Sequence, residues 1–311
     1  MIRKVFRMQY KVWVGSWVLG CTATAWAQAP AIEATPPVAA VAVAVVAPDP
    51  VPALPWALAV NRRVQFSSAL LKSHYREHDT AGLTPDGVLD TEQGHIRGNG
   101  LAVRWQGDTP WLPVARQGLW VEWSYQYLSG QTRYQGYLQK GNALTPYGAK
   151  TGNAYSTWQA RLGVPLVGLP APEQVQWVPY VQYGQQRWQR NLVQYSEIFR
   201  YHWWAAGLLA QWHPQQAALQ NWTVELDAST GRHSHAHIQT PAMDFAASLP
   251  TKPIYRFGMS ATYQWHPQWS VTGSWQLQRS HSGASAVVNG FQEPTSRSSQ
   301  QQWQLALNLH F

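Results

Sequence analysis

From Trp56 to the C-terminus, apolar and polar residues alternate with a period of two, the spacing of a β-strand with one apolar face. The last segment shows it best: Trp303, Leu305, Leu307, Leu309 and Phe311 fall on one face, and Gln302, Gln304, Ala306, Asn308 and His310 on the other. Residues 255–265 and 269–277 repeat the pattern on either side of Pro267, as do 222–229, 158–164 and 119–127. Less regular stretches at 64–76, 92–105, 176–188 and 200–212 bring the expected number of strands to ten. Connection lengths alternate too: 213–220 and 266–268 are short, whereas 77–90, 129–153, 189–198, 232–252 and 281–298 are long, with 106–117 out of step. Two short connections share Gln-Trp-His-Pro-Gln, at 211–215 and 264–268, where proline ends a strand because it cannot donate to the ladder.

A soluble two-layer sheet would also alternate, but it gives no reason for the apolar face to run to a C-terminal Phe. That terminal segment resembles the C-terminal signature of bacterial outer-membrane β-barrels, in which a terminal aromatic after alternating apolar residues is read by the barrel assembly machinery. The resemblance implies an all-β fold: a transmembrane antiparallel up-and-down β-barrel of about ten strands over 56–311, with Trp303, Leu305, Leu307, Leu309 and Phe311 as its assembly signal. It also implies both termini on the periplasmic side, and outer-membrane lipid, lipopolysaccharide and the assembly machinery as partners. Composition agrees. Charged residues make up 12% and aromatics 13%, and mean hydropathy is −0.33. Beyond the first 30 positions no apolar run reaches the ~20 residues that a spanning helix needs, which excludes a helical membrane protein.

Residues 1–27 read as a signal peptide: Arg3, Lys4, Arg7 and Lys11 precede an apolar stretch from Val12, and Ala25-Trp26-Ala27 forms a cleavage site. Val18-Leu19-Gly20-Cys21 is a rival lipoprotein-type site. The signal holds four of the 23 Lys and Arg, so the mature balance falls from +8 to about +4 and gives no ground for a nucleic-acid partner. Residues 28–55, nearly all Ala, Val and Pro, predict a periplasmic linker, with a first strand or a plug as the alternative.

The chemistry-bearing residues form no recognised catalytic set. Ten-stranded barrels include the omptin surface proteases and an Opc-type adhesin, but the Asp-x-His pair of omptins is absent from this sequence. The pairs His281-Ser282 and His233-Ser234 put neighbouring side chains on opposite faces of an extended chain, so neither is a dyad in itself, and their surroundings match neither outer-membrane phospholipases nor lipid A deacylases. His233, His235 and His237 are spaced to share one face and are the metal candidates, against three unrelated loop histidines. Seven charges are expected to face the lumen: Arg97, Arg104, Glu122, Arg161, Glu225, Asp227 and Arg256. Tyr75-Arg76-Glu77 and Leu89-Asp90-Thr91-Glu92-Gln93-Gly94 resemble patterns of uncharacterised proteobacterial barrels, and the loop 129–153, with Arg133, Lys140 and Lys150, is a candidate contact for anionic lipopolysaccharide. No cofactor is expected. The leading expectation is a non-enzymatic surface barrel with an occluded lumen, its loops binding a partner or supporting the envelope. A narrow pore comes second and an outer-membrane hydrolase third.

Overall fold

The computed structural model describes residues 55–79, 82–107, 118–140, 143–166, 174–192 and 195–311. The expected signal peptide, and the linker up to residue 54, lie outside them. A six-residue helix, α1 (Pro55–Val60), comes first, where period-two spacing suggested extended chain; Pro55 opens it, a position whose missing N–H costs a helix nothing.

Eleven strands follow: β1 (Arg63–His78), β2 (Val88–Gly107), β3 (Leu119–Lys140), β4 (Ala143–Gly163), β5 (Val175–Asn191), β6 (Ser196–Trp212), β7 (Trp222–Thr240), β8 (Phe245–Ser248), β9 (Thr251–His266), β10 (Trp269–Ser282) and β11 (Thr295–His310). All pairings are antiparallel. The ladder β6-β5-β4-β3-β2-β1-β11-β10-β9-β7 closes on itself through β6–β7, so ten strands make a ring; β8 pairs only with the end of β7. Closure gives each of the ten ring strands a partner on both sides along its crossing part, the condition for a sheet to cross lipid. At one point the strands come so close that only glycine fits: a Cβ on Gly98 of β2 would sit 1.9 Å from the Tyr127 carbonyl oxygen of β3.

The polarity of the wall is that of a membrane barrel. Phe66, Val181, Met259 and Leu305 point outward and are half or more exposed, while Arg104, Gln106, Gln176 and Glu225 point inward and are buried. It is an outer-membrane-type β-barrel. The terminal strand follows the expected phase: Trp303, Leu305, Leu307, Leu309 and Phe311 are exposed, whereas Ala306, Asn308 and His310 are buried.

The strands are longer than the sequence suggested. A crossing takes about 9–11 residues, yet β3 has 22 and β4 has 21. Up β1 the outward side chains change from Phe66 and Leu70 to Lys72, His74 and Arg76, so the wall stands above its apolar belt at the end far from the termini, here called the tall end. The expected loop 129–153 is in fact a hairpin of β3 and β4, joined at 141–142, and most of 232–252 is β7, β8 and the start of β9. Above the belt no lipid demands an apolar face, so the alternation fades in sequence while the ladder continues.

Candidate functional site

The lumen is layered, and its layers can be followed from the terminal end upward. Asn61, just after α1, lies across the mouth. Its amide donates to Gln106 (2.7 Å) and Gln211 (2.8 Å), and Gln176 donates to both of these glutamines (2.9 Å each). All four amides are fully buried. Directly above, Arg104 donates to Glu122 (2.6 Å) and Glu225 (2.5 Å), while Arg161 donates to Asp227 (2.7 Å) and lies 3.4 Å from Glu122. Tyr180 donates to the other Asp227 oxygen (2.6 Å). Five of the seven expected lumen charges thus form one network on β2, β3, β4 and β7, and Arg63 joins it 3.8 Å from Glu225. Arg256 also faces the lumen, but its donors meet Gln278 and Gln159, and its guanidinium lies 4.5 Å over the ring of Trp203.

Arg97 is the correction. It is exposed on the outer face of β2, because it sits an odd number of positions from Arg104 and successive strand residues alternate faces.

Above Arg256 comes an aromatic layer. Tyr75, Tyr155, Trp188 and Phe199 pack with Leu71, Ile96 and Ile238 into the main apolar core. The tall end then holds a cluster that sequence reasoning did not assemble. Arg190 of β5 lies 3.5 Å from Glu77, 3.2 Å from Asp90, 3.5 Å from Glu92 and 2.9 Å from Glu197. Glu293, from the β10–β11 connection, accepts a hydrogen bond from Tyr75 at 3.2 Å. Glu92 is further held by Thr132 and Asn153, and Trp188 donates to Asn153 (2.6 Å). Burial is the main force on Glu77, Asp90, Glu197 and Glu293, and their neighbours' negative charge adds to it. Glu77, Asp90 and Glu293 are pushed above the usual carboxylate range, and Glu197 is raised to about 6. The Tyr-x-Glu and Asp-x-Glu motifs of the first hairpin supply three of the five acids; the register pairs Glu77 with Asp90 and Tyr75 with Glu92.

The three histidines of β7 do not share a face. His202 pairs with His235 and Trp203 with His233, leaving Ser234 as the extra residue of a β-bulge that reverses the phase. His233 is buried, while His235 and His237 lie outside with rings stacked at 6.1 Å. Among the described residues no group of three or more His, Cys, Asp or Glu is arranged to hold a metal ion.

One Ser–His contact exists that spacing could not reveal. His310 Nε2 lies 2.8 Å from Ser270 Oγ, and His310 Nδ1 lies 2.9 Å from the Ala59 carbonyl. A carbonyl only accepts, so Nδ1 carries the proton and Nε2 accepts from Ser270, the tautomer of a catalytic dyad. Yet Ser270 is fully buried, and the orienting carbonyl belongs to α1, the helix at this mouth. Moving α1 away to admit a substrate would remove the group that orients the base. The contact fastens α1 to the wall.

No family model and no curated protein matches the sequence. Among solved structures the chain is similar to the outer membrane protease OmpT from Escherichia coli, at 10% identity over 81% of this chain and 97% of that one, with a TM-score of 0.48. It is also similar to Neisserial surface protein A (8%, covering 80% and 97%, TM-score 0.27) and to the attachment invasion locus protein Ail of Yersinia pestis in its sucrose octasulfate complex (12%, 80% and 98%, TM-score 0.26). These likenesses are of barrel architecture and transfer no residue and no activity.

Proposed function

We propose that this barrel is a closed, non-enzymatic element of the outer membrane that grips anionic outer-leaflet lipid with the wall of its tall end. The observation that supports it is a segregation of sign. On the described strands all seven carboxylates face the lumen: Glu77, Asp90, Glu92, Glu122, Glu197, Glu225 and Asp227. The outward faces above the apolar belt carry Arg76, Arg97, Arg133, Lys150, Arg187, Arg232, Arg279 and Arg297, all exposed and spread around the ring. Such a girdle attracts phosphate-bearing lipid over roughly a Debye length, ~8 Å at physiological salt. Its position on the wall, rather than at loop tips, suits lipopolysaccharide packed around the barrel. With the tall end outward, the termini are periplasmic. The buried amide layer and the aromatic layer support a lumen that does not conduct, and the burial of Ser270 supports the absence of hydrolase chemistry.

The test compares binding of the refolded barrel to lipopolysaccharide and to phosphatidylcholine vesicles. Lipopolysaccharide is expected to bind at least tenfold tighter, with the difference shrinking in high salt and in a variant carrying Arg97→Gln, Arg133→Gln, Arg187→Gln and Arg279→Gln. Equal binding of both lipids, or stable single-channel conductance in planar bilayers, would overturn the reading. The exposed face from Trp303 to Phe311 is, in the same reading, the stretch that the assembly machinery recognises. Deleting Phe311 should lower insertion and leave export unchanged; unchanged insertion removes that role.

A further inference from the structure

Between the ionic layer and the aromatic layer lies a cavity of about 210 Å³. At ~10–15 Å³ per water-sized probe this is room for on the order of ten waters or more, the bulk of a monosaccharide. Its two sides differ. On β2, β3, β4 and β7 it meets the charged network, whereas β10 and β11 offer only neutral hydrogen-bonding groups such as Ser274, Gln276, Gln302 and Gln304. Its charge is uneven as well: Arg63, Arg104, Arg161 and Arg256 line it against Glu122, Glu225 and Asp227, an excess of one cation. The excess falls on Arg256. That guanidinium is buried, has no carboxylate among the described residues within 4 Å, and is held in place by Gln278, Gln159 and the face of Trp203. Trp203 in turn lies flat on Gly184, where a Cβ would come within 2.2 Å of the indole, so the stack admits no larger residue on β5. A buried cation without a counter-ion is costly. Here the surroundings fix its position and leave that cost standing, as a site for an anion does.

Toward the tall end the lining of this cavity continues. A second, smaller cavity of about 20 Å³ lies on the tall-end side of the first and shares Gln186, Arg256, Gln278 and Gln300 with it. Its β10 and β11 wall is built of Ser280, Ser282, Ser296 and Ser298, small side chains facing the aromatic layer across the lumen. The other end is shut by the buried amides of Asn61, Gln106, Gln176 and Gln211. The geometry points to a dead-end binding pocket for a small, hydroxyl-rich monoanion of sugar-acid size, reached along the serine track, with Arg256 holding the anionic group and the glutamine wall the hydroxyls. This goes beyond the lipid-gripping wall and does not depend on it.

Equilibrium dialysis of the refolded full chain against glucuronate, glucose and inorganic phosphate tests it, with Trp fluorescence as a second readout because Trp203 stacks under the Arg256 guanidinium. Glucuronate is expected to bind saturably, one per barrel, and at least tenfold tighter than either glucose or phosphate. Arg256→Gln should weaken it at least tenfold, and Arg256→Lys less, since a lysine keeps the charge but not the fork. Ser298→Trp keeps every charge and should slow uptake at least tenfold, which reads the track independently should the Arg256 variants fail to fold. Absence of saturable glucuronate binding, equal affinity for phosphate, undiminished binding in folded Arg256→Gln, or unchanged uptake in Ser298→Trp would each overturn the corresponding part of the assignment.

Discussion

The barrel holds two buried ionic clusters made of the same kinds of side chain, and they differ in balance. Near the terminal end three guanidiniums, Arg63, Arg104 and Arg161, meet three carboxylates, Glu122, Glu225 and Asp227, with contacts down to 2.5 Å. At the tall end a single guanidinium, Arg190, stands among Glu77, Asp90, Glu92 and Glu197, and Glu293 approaches through Tyr75. The first cluster neutralises itself. The second sets one guanidinium among several acids, and burial with mutual repulsion pushes Glu77, Asp90 and Glu293 above the usual carboxylate range. Depth explains the difference in kind: charges at the height of the lipid belt must be paired internally, whereas the tall end stands in water-facing surroundings where protons can exchange.

The largest expected effect is therefore loss of either central arginine. Breaking a buried ion pair from one side costs about 3–5 kcal/mol. Arg104→Gln leaves Glu122 only the longer contact to Arg161 and Glu225 only that to Arg63, and Arg190→Gln strands four acids; at pH 8 both should lower the midpoint of urea unfolding strongly. They should separate on acidification. Arg190→Gln should recover much of its deficit by pH 5, because Glu77, Asp90 and Glu197 are already raised and take up protons readily. Arg104→Gln should instead be rescued by a second change, Glu225→Gln. A deficit in Arg190→Gln that is the same at pH 5 and pH 8 would erase the distinction between the clusters.

A smaller effect of the same origin is expected in the unaltered chain. A carboxyl raised in the folded state binds its proton more tightly there than when unfolded. Its contribution is then fully present below the ordinary value, near 4.3 for Glu, and is lost as pH rises through the folded value. For Glu197 the loss runs up to about 6, and for Glu77, Asp90 and Glu293 it extends higher. For Glu197 alone this amounts to on the order of 2 kcal/mol. Proteolysis of the tall-end hairpins should accelerate between pH 5 and pH 8, and Glu293→Gln should flatten that dependence, since it removes one raised acid and keeps an acceptor for Tyr75. Faster cleavage at pH 5 would reverse the sign and sink the account.

How much of this was legible depended on lipid. Where the wall crosses the belt, alternation in segments such as 303–311 and 119–127 gave phase, facing and strand count correctly, because one face had to be apolar. Above the belt the same rule still held but needed extrapolation. Carrying the phase of Val103 up β2 puts Arg97 outside and Glu92 and Asp90 inside, and carrying that of Phe66 up β1 puts Glu77 inside. Applied strictly, parity would have corrected Arg97 and found three acids of the tall cluster. Arg190 lies 113 positions from Glu77 in sequence, so that pair depends on the wall curving round the lumen, and His310 meets Ser270, 40 positions away, through the register of β10 on β11, which spacing alone does not give. The bulge at Ser234 is likewise silent in the sequence, since one extra residue leaves no compositional mark.

That bulge gives the smallest and most local prediction. If it reverses the phase of β7, the three histidines must behave as two kinds. His233 is buried against the ring of Tyr201, 5.0 Å away, and its truncation should cost about 1–2 kcal/mol of unfolding free energy as a core deletion with a lost polar group. His235 and His237 stack on each other, and His235 meets His202, on the outer wall, and either change to Ala should stay within about 0.5 kcal/mol of the parent. Zn²⁺ titration supplies the complementary test, because three imidazoles on one face would bind the ion together and a split set cannot. Similar costs at all three positions, or Zn²⁺ affinity that falls equally on removing any of them, would mean that the chain runs through Ser234 without the extra residue, and the upper part of β7 would then have to be re-phased against β6.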